Sequence, residues 1–338
     1  MFFLLHIFMT FFALIAIIYT CILFTNAIEH LGNNLKLSSN ATGSILAAIG
    51  TGFPETVVPL VAIFGAIFFN LEINTAQEIA QGAIIGSPFM LGTLSLFFLG
   101  VTLCVLLRLK KRNNQELSIN HQDILRNIKY FLFAYTIAIC ASFFEYKIKV
   151  FIILFLIFLY LIYVYRTIKL AKDSDVKEEI ESLIFSKFFK RNNKTIIYFQ
   201  IFISLLFLII FSHVFVNEIT FFSNYFSISP TILSLIITPF ATELPECVNS
   251  IIWVKNSKDN LAIANILGAM VFQTMVPFSI GITLTSWKIS QDLFINIILI
   301  LSCMSIFGLH VLQTKKINFK ILIFCGIFYL AYLFILFV

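Results

Sequence analysis

The sequence predicts an all-α, polytopic membrane protein whose ten transmembrane helices form two inverted five-helix repeats. Three observations predict it: the composition, the spacing of the apolar runs, and a short motif that occurs twice. Of 338 residues, 60% are hydrophobic and only 12% charged, against roughly 45–50% and about 25% in soluble domains. So few charges cannot cover a water-facing surface, and lipid is the expected solvent. The 41 Phe residues agree with that.

A membrane-spanning helix needs about 20 apolar residues at 1.5 Å each. Ten segments meet the criterion: 2–24, 41–69, 79–107, 128–145, 148–168, 196–217, 228–254, 260–283, 291–312 and 318–337. Met1–Phe24 lacks a basic leader and reads as the first span rather than a removed signal peptide. With the N-terminus outside, all but three of the 23 Lys and Arg residues fall in loops on the inner side; Lys147, Lys149 and Lys288 are the exceptions. That asymmetry is the orientation rule of membrane proteins, and it accounts for the net charge of +6 without a nucleic-acid partner. The expected setting is multi-pass, in the plasma (inner) membrane, with the bilayer and inorganic cations as partners. The expected organisation is a first repeat over 1–168, an inner loop over 169–195 and a second repeat over 196–338.

The doubled motif reads T-x-[FL]-P-E. Its first copy is Thr51-Gly52-Phe53-Pro54-Glu55, followed on the next span by Ile84-Ile85-Gly86-Ser87. Its second is Thr242-Glu243-Leu244-Pro245-Glu246, followed by Ile266-Leu267-Gly268-Ala269. The copies lie five spans apart, an odd number, so they enter the bilayer in opposite senses. Inverted repeats of this kind place a binding site at mid-membrane depth.

Of the 17 acidic residues, only Glu55, Glu243 and Glu246 lie deep within apolar spans. A lone ionised side chain at mid-bilayer costs about 2.5–3.5 kcal/mol on the most lenient scale. Three together also repel one another, so each requires a cation, a proton or water. Thr51 and Thr242 stand one turn before Glu55 and Glu246 on the same helix face. Pro54 and Pro245 each remove a backbone donor and are expected to break their helices, freeing carbonyl oxygens. Carboxylates, hydroxyls and carbonyls are the ligands that hard cations such as Ca²⁺ prefer.

Other polar residues have plainer readings beside functional ones. Gly82, Gly86 and Gly268 fit close helix packing. Asn265 and Gln273 serve equally as interhelical hydrogen bonders or as ligands. His213 and Glu218, near the end of the sixth span, read as a solvated pair before a proton relay. The six cysteines are scattered and fit small apolar side chains. H-E-x-x-H and G-x-S-x-G are absent, and no His pair has metal-ligand spacing, which argues against a membrane-embedded enzyme.

The two segments resemble the paired α-repeats of the calcium/cation antiporter superfamily, the sodium/calcium exchangers, whose pattern is G-T-S-x-P-E and then G-N-x-x-G-S-N-x-x-[ND]. The resemblance implies that Glu55 and Glu246 are the central calcium-binding glutamates. It further implies that Thr51 and Thr242 line flanking sodium sites and that Ser87 is a serine ligand. Departures from the pattern include Gly52 for Ser, Ala83 for Asn, Leu91 for Asn, Glu243 for Ser, Ala269 for Ser, and Gln273 for Asn or Asp; Asn265 is retained. The candidate ligand set is therefore Glu55, Glu246, Thr51, Thr242, Glu243, Ser87 and Gln273, fewer in oxygens than the family pattern but richer by one acid. The expected activity is Na⁺/Ca²⁺ exchange by alternating access, with no cofactor beyond the transported Ca²⁺ and Na⁺ (or H⁺). Proton-coupled antiport on the same fold and a passive channel are the alternatives.

Overall fold

A computed structural model of the chain describes residues 2–34, 52, 54–68, 72–171, 182–189 and 194–337. These are almost wholly helical: α1 (Phe2–Asn34), α2 (Pro54–Phe68), α3 (Ile73–Arg108), α4 (His121–Cys140), α5 (Tyr146–Ala171), α6 (Ile184–Phe189), α7 (Lys194–Phe226), α8 (Pro230–Lys255), α9 (Asp259–Leu284), α10 (Gln291–Thr314) and α11 (Phe319–Phe337). Among the described residues nine helices are long and apolar enough to cross a membrane. The expected second span is represented by Gly52 and the 15 residues of α2, the rest of it lying outside the described residues. α1 and α7 run 33 residues each, longer than their apolar runs suggest. The expected inner loop over 169–195 contains α6, a short helix the apolar pattern does not reveal.

Pro245 behaves differently from expectation. α8 continues without a break from Pro230 to Lys255 through Pro239 and Pro245. Each proline deletes one N–H, which leaves the carbonyls of Leu235 and Ala241 without their helical donor. The remaining bonds, and packing that leaves Ala241 with no exposed surface, carry the helix across. In α3, by contrast, a π turn at Leu91–Ser95 follows three residues after Pro88. Such π turns are rare and appear mostly as single-turn insertions within α-helices.

The chain forms two compact units, each drawn from both halves of the sequence. One comprises 1–83 and 158–245; the other comprises 84–157 and 246–338. In the first, α1 lies along α7, and α2 packs on α7. With no water available in a bilayer, buried polar groups must find partners within the protein. Gln200 Nε2 donates to the Leu23 carbonyl (2.8 Å) and to Asn26 Oδ1 (3.1 Å), binding α7 to α1. The same two side chains accept the Ile184 and Phe185 N–H groups at 3.0 and 2.9 Å, which seats α6 on this helix pair. Glu218 is buried, and its Oε2 lies 2.8 Å from His6 Nδ1 on α1. The expected solvated pairing with His213 is therefore not what forms: His213 Nε2 instead lies 3.3 Å from Asn217 Nδ2. His213 and Glu218 are five residues apart and so sit on different faces of α7.

In the second unit α4 packs on α9, α11 on α3, and α10 on both α4 and α11. Trp287, wholly buried after α9, donates its Nε1–H to the Ala138 carbonyl at 2.9 Å and meets Phe278 edge-on at 5.5 Å. The segment between α3 and α4 forms a strap. Leu117 N–H donates to the Ile317 carbonyl (2.8 Å), Lys316 pairs with Glu116 (2.9 Å), and Asn120 N–H donates to Asn260 Oδ1 (2.8 Å).

Candidate cation site

Glu55 on α2 and Glu243 on α8 belong to the same compact unit, and Glu246 follows Glu243 by three residues on the continuous α8 helix. One carboxylate oxygen from each of the three lies within 4.8 Å of the others. All three side chains are buried, with 2%, 0% and 1% of their surface exposed. Like charges this close in a medium without water raise each other's energy steeply. The arrangement suits a ligand that is positively charged and that binds oxygen.

Why the sequence folds this way locally follows from helical spacing. Residues four apart share a face of α8, and Ser234, Thr238, Thr242 and Glu246 are so spaced. All four are buried. Ser234 Oγ donates to the Ile79 carbonyl (2.7 Å) and lies 3.0 Å from Thr238 Oγ1; Thr242 Oγ1 donates to the Thr238 carbonyl at 3.3 Å. Each hydroxyl spends its hydrogen on the protein and keeps oxygen lone pairs that a cation can use. The sequence reading singled out Thr242 from this row but missed Ser234 and Thr238. The signal was available in the four-residue spacing of hydroxyls leading to the second acid.

Thr51 lies outside the described residues; of the first copy of the motif, Gly52, Pro54 and Glu55 are described. Thr56, next to it, donates to the Gly52 carbonyl at 3.2 Å. Ser87 on α3 and Gln273 on α9 are both buried, at 2% and 1% exposure, within the second unit. Asn265 Nδ2 donates to Ser250 Oγ at 3.3 Å and Ser250 Oγ donates to the Ala262 carbonyl at 3.1 Å, so this asparagine serves as an interhelical bonder. The Ala241 carbonyl, deprived of its donor by Pro245, is a further oxygen one turn before that proline.

A profile of sodium/calcium exchanger proteins matches residues 5–169 and 196–338. The chain belongs to the sodium/calcium exchanger family. Membership makes it a cation antiporter of the membrane, and the buried cluster of three carboxylates is consistent with that. The inner membrane protein YrbG of Escherichia coli (strain K12) is 22% identical to it over 277 residues, 77% of either chain. Among solved structures, the H⁺/Ca²⁺ exchanger CAX superposes with a TM-score of 0.73 at 17% identity, covering 97% of this chain and 82% of that one. The sodium-calcium exchanger NCX_Mj, soaked with 10 mM Na⁺ and zero Ca²⁺, superposes with a TM-score of 0.59 at 19% identity, covering 97% of each. At these identities the superpositions establish a common fold.

Proposed function

We propose that this exchanger moves Ca²⁺ against Na⁺ by alternating access, with Glu55, Glu243 and Glu246 as the acidic ligands and Thr51, Thr242, Ser87 and Gln273 supplying neutral oxygens. The single observation that carries the reading is the buried carboxylate triad. An ionised triad with nothing bound is too unfavourable to cross an occluded state, so the protein switches sides only when loaded, and exchange follows. Ca²⁺ takes six to eight oxygen ligands, and carboxylates, hydroxyls and backbone carbonyls are the donors it prefers. Two inverted halves, 1–168 and 196–338, with the N-terminus outside, are the arrangement that the doubled motif and the Lys/Arg asymmetry support. The name of the Escherichia coli relative supports an inner membrane.

Coupling to H⁺ is the second reading, and Glu243 is the observation that favours it. Three carboxylates carry three negative charges, and one Ca²⁺ offsets only two. The remaining charge calls for a monovalent cation or a proton. CAX, an H⁺/Ca²⁺ exchanger, shares this fold.

Uptake of ⁴⁵Ca²⁺ into proteoliposomes under imposed Na⁺, K⁺ or pH gradients tests both. Uptake driven by an outward Na⁺ gradient is the expected result. Uptake driven by pH alone transfers the coupling to H⁺, and flux indifferent to every counter-ion gradient makes the protein a channel. Glu243→Gln is expected to keep Ca²⁺ transport but to change its selectivity among monovalent ions and its pH profile. An unaltered selectivity and profile would remove Glu243 from the ligand set.

A further inference from the structure

The turn between α8 and α9 is held by a residue from elsewhere in the chain. Asp259, the first residue of α9, has a side chain with 0% exposure, although it sits beside a polar turn. Its Oδ1 accepts from Arg112 Nη1 at 2.8 Å, and Arg112 Nη2 bonds its Oδ2. The Ser118 N–H also donates to Oδ2, at 2.8 Å. Arg112 Nη1 reaches in addition to the Val254 carbonyl, at 3.4 Å, in the last turn of α8. One guanidinium thus joins the carbonyl end of α8 to the N–H end of α9. Its charge suits the first and the aspartate suits the second, as helix dipoles require.

This joint is in register with the cation site. Glu246, Ser250 and Val254 follow one another at four-residue spacing, so they share a face of α8. Val254 is held by Arg112; Ser250, one turn deeper, is held by the Ala262 carbonyl and by Asn265 of α9. Glu246 comes one turn deeper again. From Val254 to Glu246 is eight residues, about 12 Å of helix. A rotation or slip of α8 at its polar end is transmitted along this rigid helix to the carboxylate.

We infer that Arg112 and Asp259 are a positioning pair for Glu246: the bidentate pair locks the α8–α9 elbow and so sets the depth and rotation at which that carboxylate meets the cation. Arginine suits the task because its planar fork fixes two directions at once, where a lysine ammonium fixes a point. The polar strap from Arg112 to Asn120 acts through α8 without touching the ion. The inference rests on the exchange reading only for the identity of what Glu246 binds.

Removing Arg112 alone strands a buried carboxylate and endangers the fold. The informative variant is therefore the double Arg112→Met, Asp259→Leu, which deletes both charges at similar volume, a change that buried pairs often tolerate. It is compared with Arg112→Lys and the parent, in protein whose elution and Tm match the parent. The readouts are KM and kcat for ⁴⁵Ca²⁺ uptake in proteoliposomes and hydrogen exchange of the amides of residues 246–254. Loss of groups that orient a metal ligand typically weakens the site about 10- to 100-fold. KM is accordingly expected to rise at least about tenfold in the double variant, with kcat changed much less. Amide exchange over 246–254 should quicken, and Arg112→Lys should fall between the double variant and the parent. An unchanged KM overturns the inference, including when exchange quickens, since the pair would then be structural only. If the parent carries no Ca²⁺, the exchange reading fails on its own; the same comparison then uses binding of whichever cation raises the parent's Tm.

Discussion

Glutamine in place of Glu55 or Glu246 is expected to reduce Ca²⁺ transport by more than about 100-fold, beyond the loss typical of groups that merely orient a ligand, while leaving the protein at least as heat-stable as the parent. The two effects have opposite signs for one reason. Each carboxylate is nearly or wholly buried and lies within 4.8 Å of two others. In the absence of a bound cation, the triad destabilises the fold by desolvation and mutual repulsion, a cost retained because the cation removes it. Glutamine keeps the shape and one oxygen but removes a negative charge, so the empty protein gains and the loaded protein loses. Thermal melting in detergent with and without Ca²⁺ checks this directly. The parent should show a Ca²⁺-dependent rise in Tm, since a ligand that binds only the folded state stabilises it by mass action. The variants should begin at an equal or higher Tm and show little rise. A variant that melts well below the parent in the absence of cation would mean that these acids are satisfied structural groups and not a site.

The second large effect is expected at Gly82. A Cβ there would strike the carbonyl oxygen of Thr231, and it would also lie 3.0 Å from the Leu235 nitrogen and 3.1 Å from Ser234 Cβ. Two of these neighbours are backbone atoms of α8, which cannot move aside as a flexible side chain can. In an exposed helix Ala is favoured over Gly by roughly 0.5–1 kcal/mol. Here that preference should be reversed, with Gly82→Ala costing about 1–3 kcal/mol as an overpacked contact. The displaced segment of α8 carries Ser234, which bonds the Ile79 carbonyl of α3, so the hydroxyl row leading to the acids shifts with it. A lowered Tm together with impaired transport is the expected result. Unchanged melting would show that α3 and α8 part without cost at this point.

Much of the fold was legible in the sequence because a bilayer imposes a simple rule: backbone polar groups must be satisfied within each segment, so every spanning stretch becomes an apolar helix. The apolar runs therefore located most of the spanning helices to within a few residues. The ends were less legible. α1 and α7 continue past their apolar runs, into segments whose partners are remote: Asn26 of α1 meets Gln200, and Glu218 of α7 meets His6, which no local pattern announces. The continuity of α8 through Pro245 was misjudged for a similar reason, since local propensity argues for a break and packing overrules it. At the site, the three acids stood out because charge at membrane depth is rare. Ser234 and Thr238 did not, because an isolated hydroxyl in an apolar helix is common and acquires meaning only in register with its neighbours.

Glu218 and Asp259 show where reading from the chain alone stops. Both lie near helix ends and look like ordinary solvated acids, yet both are buried and partnered by His6 and Arg112, more than 140 residues distant. By itself the sequence determined the solvent, the helical class, the doubled motif and the three acids, because hydropathy and charge are properties of short segments. Only the tertiary structure decided that those acids bring carboxylate oxygens within 4.8 Å of one another, that α8 is unbroken, and that Arg112 holds its end. Contacts between remote segments depend on how helices pack, and one-dimensional periodicity carries no record of which face meets which.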